Sequence, residues 1–447
     1  MFDYGVHFRD IALALALLGI AGIALRRPWL GVLGLAVLSF LHPQAYAPGF
    51  MRVFPSYASL FVLTLASAGL AFARGRLEYL PPRALAHDWR IYALLGLWLW
   101  FAVSSYYALL PPDAWTKFRS VANILPPLAL ALLLIDDRRK LHALIVIVAI
   151  SITLIAVKGG YWALVTGFND RVYGPPYTQY HDNNHFAVAI CMAIPLLAIW
   201  LRETHDRIAR ALIMLCLLLS YVAALSSWSR GGMLALVSVT LLLVLRTSRK
   251  WLWIPALLLL AIAMFTLLPE DWFGRMRSLE NLAADQSAQN RLAVWRIGLD
   301  LAMDRPITGG GFNAWPILTL DQGNIDWHSS YIKLLAEHGF PGLLIWLGLM
   351  LGSLFQLARA AWLPLPGYPA WASANNAMFF ASLLAYLIGG ATLGIAYWEL
   401  PYLLIILAIL THVFAKREMA VPSTAASSRS SMSNNFTETR ENPRENG

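Results

Sequence analysis

The stretch WHSSYIKLLAEHGFPG, Trp327 to Gly342, sets a histidine, two serines and a tyrosine ahead of a long apolar run. It predicts a helix starting near His328, with Asp326 as N-cap and Gly339 and Pro341 as stop or kink signals. In a first turn the helix dipole disfavours imidazolium, and a neutral imidazole is what a general base requires. His328 is therefore a candidate base; the competing reading is a residue that only caps or hydrogen-bonds at an interface. On a continuous helix Glu337 lies nearly opposite His328, a poor partner for its ring, and His338 faces elsewhere as a structural residue.

A second pattern is arginine without lysine. Between Pro269 and Trp327 the cations are Arg275, Arg277, Arg291, Arg296 and Arg305. The guanidinium fork suits bidentate binding of phosphate. Acidic residues outnumber basic ones over Pro269–Phe340, so only particular arginines would hold an anion. Solvated, ion-paired helix faces are the expectation for Arg275, Arg277 and Arg305.

Two shorter segments add polar groups. DRVYGPPYTQYHDNNHF, Asp170 to Phe186, offers Arg171, Tyr173, Tyr177 and Asn184, which fit either sugar binding by stacking and hydrogen bonds or an ordinary polar loop. His181 and His185 stand four apart, but no third ligand and no HExxH accompany them, so no metal is expected. SSWSRGG, Ser226 to Gly232, is a short turn whose Arg230 is either an interfacial anchor or a phosphate ligand.

The elements that must position these residues are membrane helices. The 447-residue chain is 58% hydrophobic and 13% charged, with 18 tryptophans. Its apolar runs predict an all-α, polytopic membrane protein of about 12 transmembrane helices, 12 or 13 by hydropathy. A charge of +9 would suggest nucleic acid in a soluble protein, but here the cations cluster between spans. The clusters at Arg26/Arg27, Arg74–Arg90, Arg138–Lys140, Arg202–Arg210, Arg246–Lys250 and Lys416/Arg417 read as cytoplasmic. His42–Ser56, Pro111–Arg119, Lys158–Asn184, Ser226–Gly232 and Pro269–Phe340 then form loops on the other side.

The first apolar run reads as an uncleaved span, because Arg26/Arg27 follow it; the side of the N-terminus stays open. In NRLAVWRIGLDLAMDRP the residues Leu292, Trp295, Leu299 and Met303 recur at helical spacing up to Pro306, and TGGGFNAWP follows as a glycine hinge. The expected organisation is helices with short loops over 1–268, a large site-bearing loop over 269–340, further helices over 341–417 and a disordered tail over 418–447. Cys191 and Cys216 lie inside apolar runs and give no disulfide or metal signal.

Taken together, RVYG with NNHFA, SRGG, QNRLAVW and HSSYIKLLAEHGFPG resemble the O-antigen ligase and polymerase superfamily across Arg171 to Leu351. The N-terminal LGVLGLAVLSFLHPQAYAPGF resembles the O-glycosylation ligases associated with exosortase systems. The resemblance implies an inverting glycosyltransferase of the bacterial inner membrane, active on the periplasmic side, whose donor is a glycan on undecaprenyl diphosphate. For a ligase the acceptor is the lipid A core. His328 matches the family's loop histidine, and Arg171, Arg230 and Arg291 match its diphosphate-facing arginines. Ser329 stands where many members have asparagine. Tyr173, Tyr177, Asn184, Arg296 and Ser329 are candidate glycan or acceptor contacts.

The sequence has no DxD, so neither metal nor cofactor is expected, and neither is a nucleic-acid partner. An O-antigen polymerase and a transferase to protein Ser or Thr are competing enzymes. A transporter would place ionisable residues within the membrane instead of in unequal loops on one face.

Overall fold

The computed structural model describes residues 7–247, 250–277, 286–322 and 326–420. The expected tail therefore lies almost wholly outside the described residues. Among the described residues there is no strand, and nine helices are long and apolar enough to cross a membrane. The first three helices are α1 (Phe8–Arg26), α2 (Pro28–Phe40) and α3 (Ser56–Ala73), followed by α4 (Trp89–Tyr106), α5 (Pro111–Ala122) and α6 (Leu125–Leu134). Pro111–Arg119, expected as a loop, is thus helical. Pro111 and Pro112 sit at the start of α5, where a missing N–H costs nothing.

The middle of the chain forms α7 (Arg138–Val165), α8 (Asn183–Glu203), α9 (Arg207–Leu225), α10 (Arg230–Arg246) and α11 (Lys250–Leu267). Then come α12 (Glu270–Arg277), α13 (Gln286–Asp304), α14 (Trp315–Leu318), α15 (Ser330–Trp362), α16 (Ala370–Gly390) and α17 (Glu399–Ala420). Helices α8, α16 and α17 are buried over most of their length and form the middle of the bundle. Helix α1 is mostly exposed and peripheral.

Helix ends gather on two faces. On one, the Asp10 carboxylate accepts from the Gly49 and Met51 amides, and the Leu109 amide donates to the Gly310 carbonyl at 2.8 Å. On the other, Lys140 Nζ meets Glu78 at 2.8 Å, and Arg246 donates to Ser373 Oγ at 2.9 Å. The basic clusters belong to this second face; the first carries the candidate site. Helix α1 begins on the site face, where Asp10 meets the Gly49 and Met51 amides.

α15 bends at Gly339, whose φ of 67° suits glycine. The cause is readable. Pro341 has no N–H to give the Glu337 carbonyl, and the Phe340 amide turns to the Pro306 carbonyl instead of Ala336. The two freed carbonyls accept from the Gly310 and Gly311 amides, each at 2.8 Å. TGGGFNAWP is therefore a clamp and not the expected hinge: a Cβ at Gly309 would stand 2.6 Å from the Ala336 oxygen.

Candidate active site

His328 does not sit in a first helical turn. Ser329 is the N-cap of α15, its hydroxyl accepting from the Ile332 amide, and His328 precedes it with φ 45°. Such a left-handed conformation costs a non-glycine residue roughly 1–2 kcal/mol and must be held by its surroundings. Trp327 holds it. Its ring is fully buried, its carbonyl accepts from Trp295 Nε1 at 2.8 Å, and its own Nε1 donates to Glu337 Oε1 at 3.2 Å.

Asp326, expected as the cap, has a different task. It accepts from the Trp327 amide at 2.7 Å and forms an ion pair with buried Lys333 at 2.8 Å. Burial pushes the Asp326 carboxyl up, but the Lys333 charge and hydrogen bond outweigh it and hold the group below the usual carboxylate range. Sequence reasoning missed Lys333; its only signal was one lysine in an otherwise apolar turn.

The His328 imidazole is held below its ordinary range, first by burial and then by the Arg291 cation, with Asp326 opposing. His185 and Asp182 also act on it, so the start of α8 faces the same ring. His181 does not join them: it stacks with Tyr173 at 6.1 Å, while His185 Nδ1 meets the Gln179 carbonyl at 3.1 Å. Among the described residues no cluster of His, Cys, Asp and Glu has a metal-binding arrangement.

The remaining arginines form a second group around Trp228. Arg171 lies 5.4 Å over the Trp228 ring, and Arg275 Nε donates to its carbonyl at 2.8 Å. Arg230 opens α10 two residues on, behind the Ser229 cap. Arg275 is thus tied into the site region instead of lying on a solvated face as expected. Arg305 donates to the Tyr107 carbonyl, also a structural tie, and the side chain of Arg277 lies outside the described residues. The two groups are bridged at the start of α8, where Asn183 Nδ2 donates to the Ser227 carbonyl at 2.6 Å.

Of the candidate sugar contacts, Tyr173 and Tyr177 are exposed, and the Arg52 guanidinium lies 4.0 Å over the Tyr177 ring. Asn184 is half-buried beside Asn183, and Ser329 is buried by its capping role. Arg296 is exposed on α13, away from Arg291. The apolar pattern read there also needs correction. Leu292, Leu299 and Met303 point outward, and the packed face is Val294, Gly298 and Leu301. Gly298 is what lets α13 approach Trp327, since a Cβ there would stand 3.1 Å from the indole.

Residues 214–347 match the family model described as O-antigen ligase. This part of the chain is similar to the O-antigen ligase superfamily. The match supports an O-antigen ligase/polymerase-type enzyme, and the apolar helices a multi-pass membrane protein. Residues 8–206 match a family of unknown function. No curated protein matches the sequence. The O-antigen ligase match holds Arg230, Arg275, Arg291 and His328, whereas Arg171, Asp182 and His185 fall in the other matched region. Residues from both come together at the site face.

Proposed function

We propose that the protein is an inverting, metal-independent glycosyltransferase that moves O-antigen glycan from undecaprenyl diphosphate to the lipid A core. It would act on the periplasmic side of the bacterial inner membrane, with residues 269–340 as the loop that carries the catalytic histidine. The observation that carries this reading is the pairing of His328 with Arg291: an imidazole kept neutral by burial and by the kind of cation a diphosphate would meet.

A polyprenyl tail keeps the donor's diphosphate at headgroup level, so the base that acts beside it belongs at the membrane rim. His328 takes the proton from an acceptor sugar hydroxyl as that oxygen bonds to the anomeric carbon. The bond from that carbon to the diphosphate breaks on the opposite side, and its electron pair leaves with undecaprenyl diphosphate. Arg171, Arg230 and Arg291 offset the charge that develops there. Basic clusters at the other helix ends support the orientation.

The test is the lipopolysaccharide ladder of a deletion strain with and without the gene restored. A core bare of O units, with lipid-linked polymer accumulating, is the expected result. A single O unit on the core would mean a polymerase, and an intact ladder with an altered glycoprotein would mean a protein transferase.

A further inference from the structure

The basic face holds a cleft that the reaction does not use. It has a volume of about 710 Å³ and lies among the ends of α1, α2, α3 and α7. Three separate stretches bring guanidinium groups to it: Arg26 and Arg27 at the α1–α2 junction, Arg74 and Arg76 after α3, and Arg139 in the first turn of α7. A preference for cations on one side explains basic residues in each stretch but not their convergence on one cavity.

Internal ion pairs leave most of this charge uncompensated. Lys140, at the floor, is satisfied by Glu78 and Asp136 at 2.8 and 2.6 Å. Asp137 is used as the cap of α7, accepting from the Lys140 amide. Glu78 acts on Arg27 electrostatically. Arg26, Arg74, Arg76 and Arg139 have no ion-pair partner among the described residues. A second cleft on this face also gathers cations, Arg90, Arg359, Lys416 and Arg417; its Arg90 is buried and already held by the Asp88 carboxylate at 2.6 Å.

The lower wall of the arginine cleft is apolar, made by Leu25, Trp29, Leu70 and Ala71 at the ends of spans. Helices α1 and α3 bury little of themselves in the protein, so this wall opens toward the bilayer. Guanidinium forks above and hydrocarbon below fit a molecule with phosphate at one end and acyl chains at the other. We infer that this cleft binds the headgroup of an anionic glycerophospholipid with two phosphodiesters, of the cardiolipin class.

The experiment follows thermal unfolding of the purified full-length protein in neutral detergent during titration with cardiolipin, phosphatidylcholine, sodium phosphate or pyrophosphate. Cardiolipin alone should raise the midpoint. In Arg74→Gln/Arg76→Gln/Arg139→Gln its apparent affinity should fall roughly a hundredfold, about fivefold for each interfacial charge removed. Arg139→Gln alone keeps the question open to test should the triple variant fold poorly, with a loss of about fivefold.

Arg83→Gln/Arg207→Gln/Lys250→Gln removes as much charge from exposed positions on the same face outside both clefts and should bind as the parent does. Equal loss in that control would reduce the effect to general surface charge. Stabilisation by phosphate or pyrophosphate as strong as by cardiolipin would make this a free-anion site, and unchanged binding in the cleft variants would overturn the assignment outright.

Discussion

His328 and His338 stand at the two ends of one short helix, the segment of α15 before its bend, and their surroundings are opposite. His338 is fully buried between the Phe101 and Phe312 rings, at 4.3 and 4.5 Å. Both its nitrogens are engaged, Nδ1 with Ser104 Oγ at 2.6 Å and Nε2 with Tyr397 OH at 2.8 Å. His328 is half-buried in a left-handed backbone, surrounded by Arg291, Asp326, Asp182 and His185. The same side chain is a structural pin at one end and a group with chemistry to spare at the other. Between them Glu337 links the two, accepting from Trp327 Nε1 and, at 2.6 Å, from Tyr397 OH.

The contrast breaks most sharply at His328. His328→Ala should abolish glycan transfer while leaving lipid-linked donor binding nearly intact, since general bases contribute on the order of 10² to 10⁴ in rate. Single-turnover transfer beside donor affinity reads this, and full transfer by the variant would put the base elsewhere.

His338→Ala should act on the fold instead. It costs Ser104 and Tyr397 one hydrogen bond each, at roughly 0.5–1.5 kcal/mol apiece, and opens a hole between two rings, while Ser104 keeps the Phe101 carbonyl and Tyr397 the Glu337 carboxylate. A lowered unfolding midpoint with near-normal turnover in the surviving folded fraction is expected. A stable variant that has lost turnover would erase the distinction between the two histidines.

Arg291→Ala should weaken donor binding together with transfer, by about ten- to a hundredfold for a lost charged hydrogen bond at roughly 1.5–3 kcal/mol. Arg291→Lys should recover little of it, because the two-pronged fork is gone. Unaltered donor affinity in Arg291→Ala would take that arginine out of the diphosphate site.

The smallest effect is in the pH profile. Arg291 is one cause of the depressed imidazole, so transfer by the parent should persist below pH 6.5, the ordinary imidazole value, before protonation of His328 stops it. Removing the cation in Arg291→Gln raises the His328 pKa, and the acidic limb of transfer at saturating donor should move up. Asp326→Asn removes an opposing influence and should move it down. Limbs that stay fixed in both variants would mean that another group sets the profile.

Much of this architecture is written locally in the sequence. Apolar runs define the helices because backbone groups in hydrocarbon must bond within their own segment. Gly339 and Pro341 mark the bend, since glycine tolerates a positive φ and proline removes a donor. Arginine clusters separate the two faces, and RVYG, SRGG and HSSYIKLLAEHGFPG mark the segments that meet at one of them. Tertiary structure decided what depends on contacts between distant residues. Periodicity chose Leu292, Leu299 and Met303 as the packing face of α13, because an apolar stripe has no label saying what it faces; Gly298 against Trp327 set the actual side. The three glycines read as a hinge until their amides had the freed carbonyls of Ala336 and Glu337 to bind. Arg275 reached the Trp228 carbonyl, and Asp326 found Lys333, only once the chain had folded back on itself. His328 owes its left-handed backbone to Trp295 and Glu337, on either side of it in sequence and brought to one buried tryptophan in space, a juxtaposition that no spacing rule encodes.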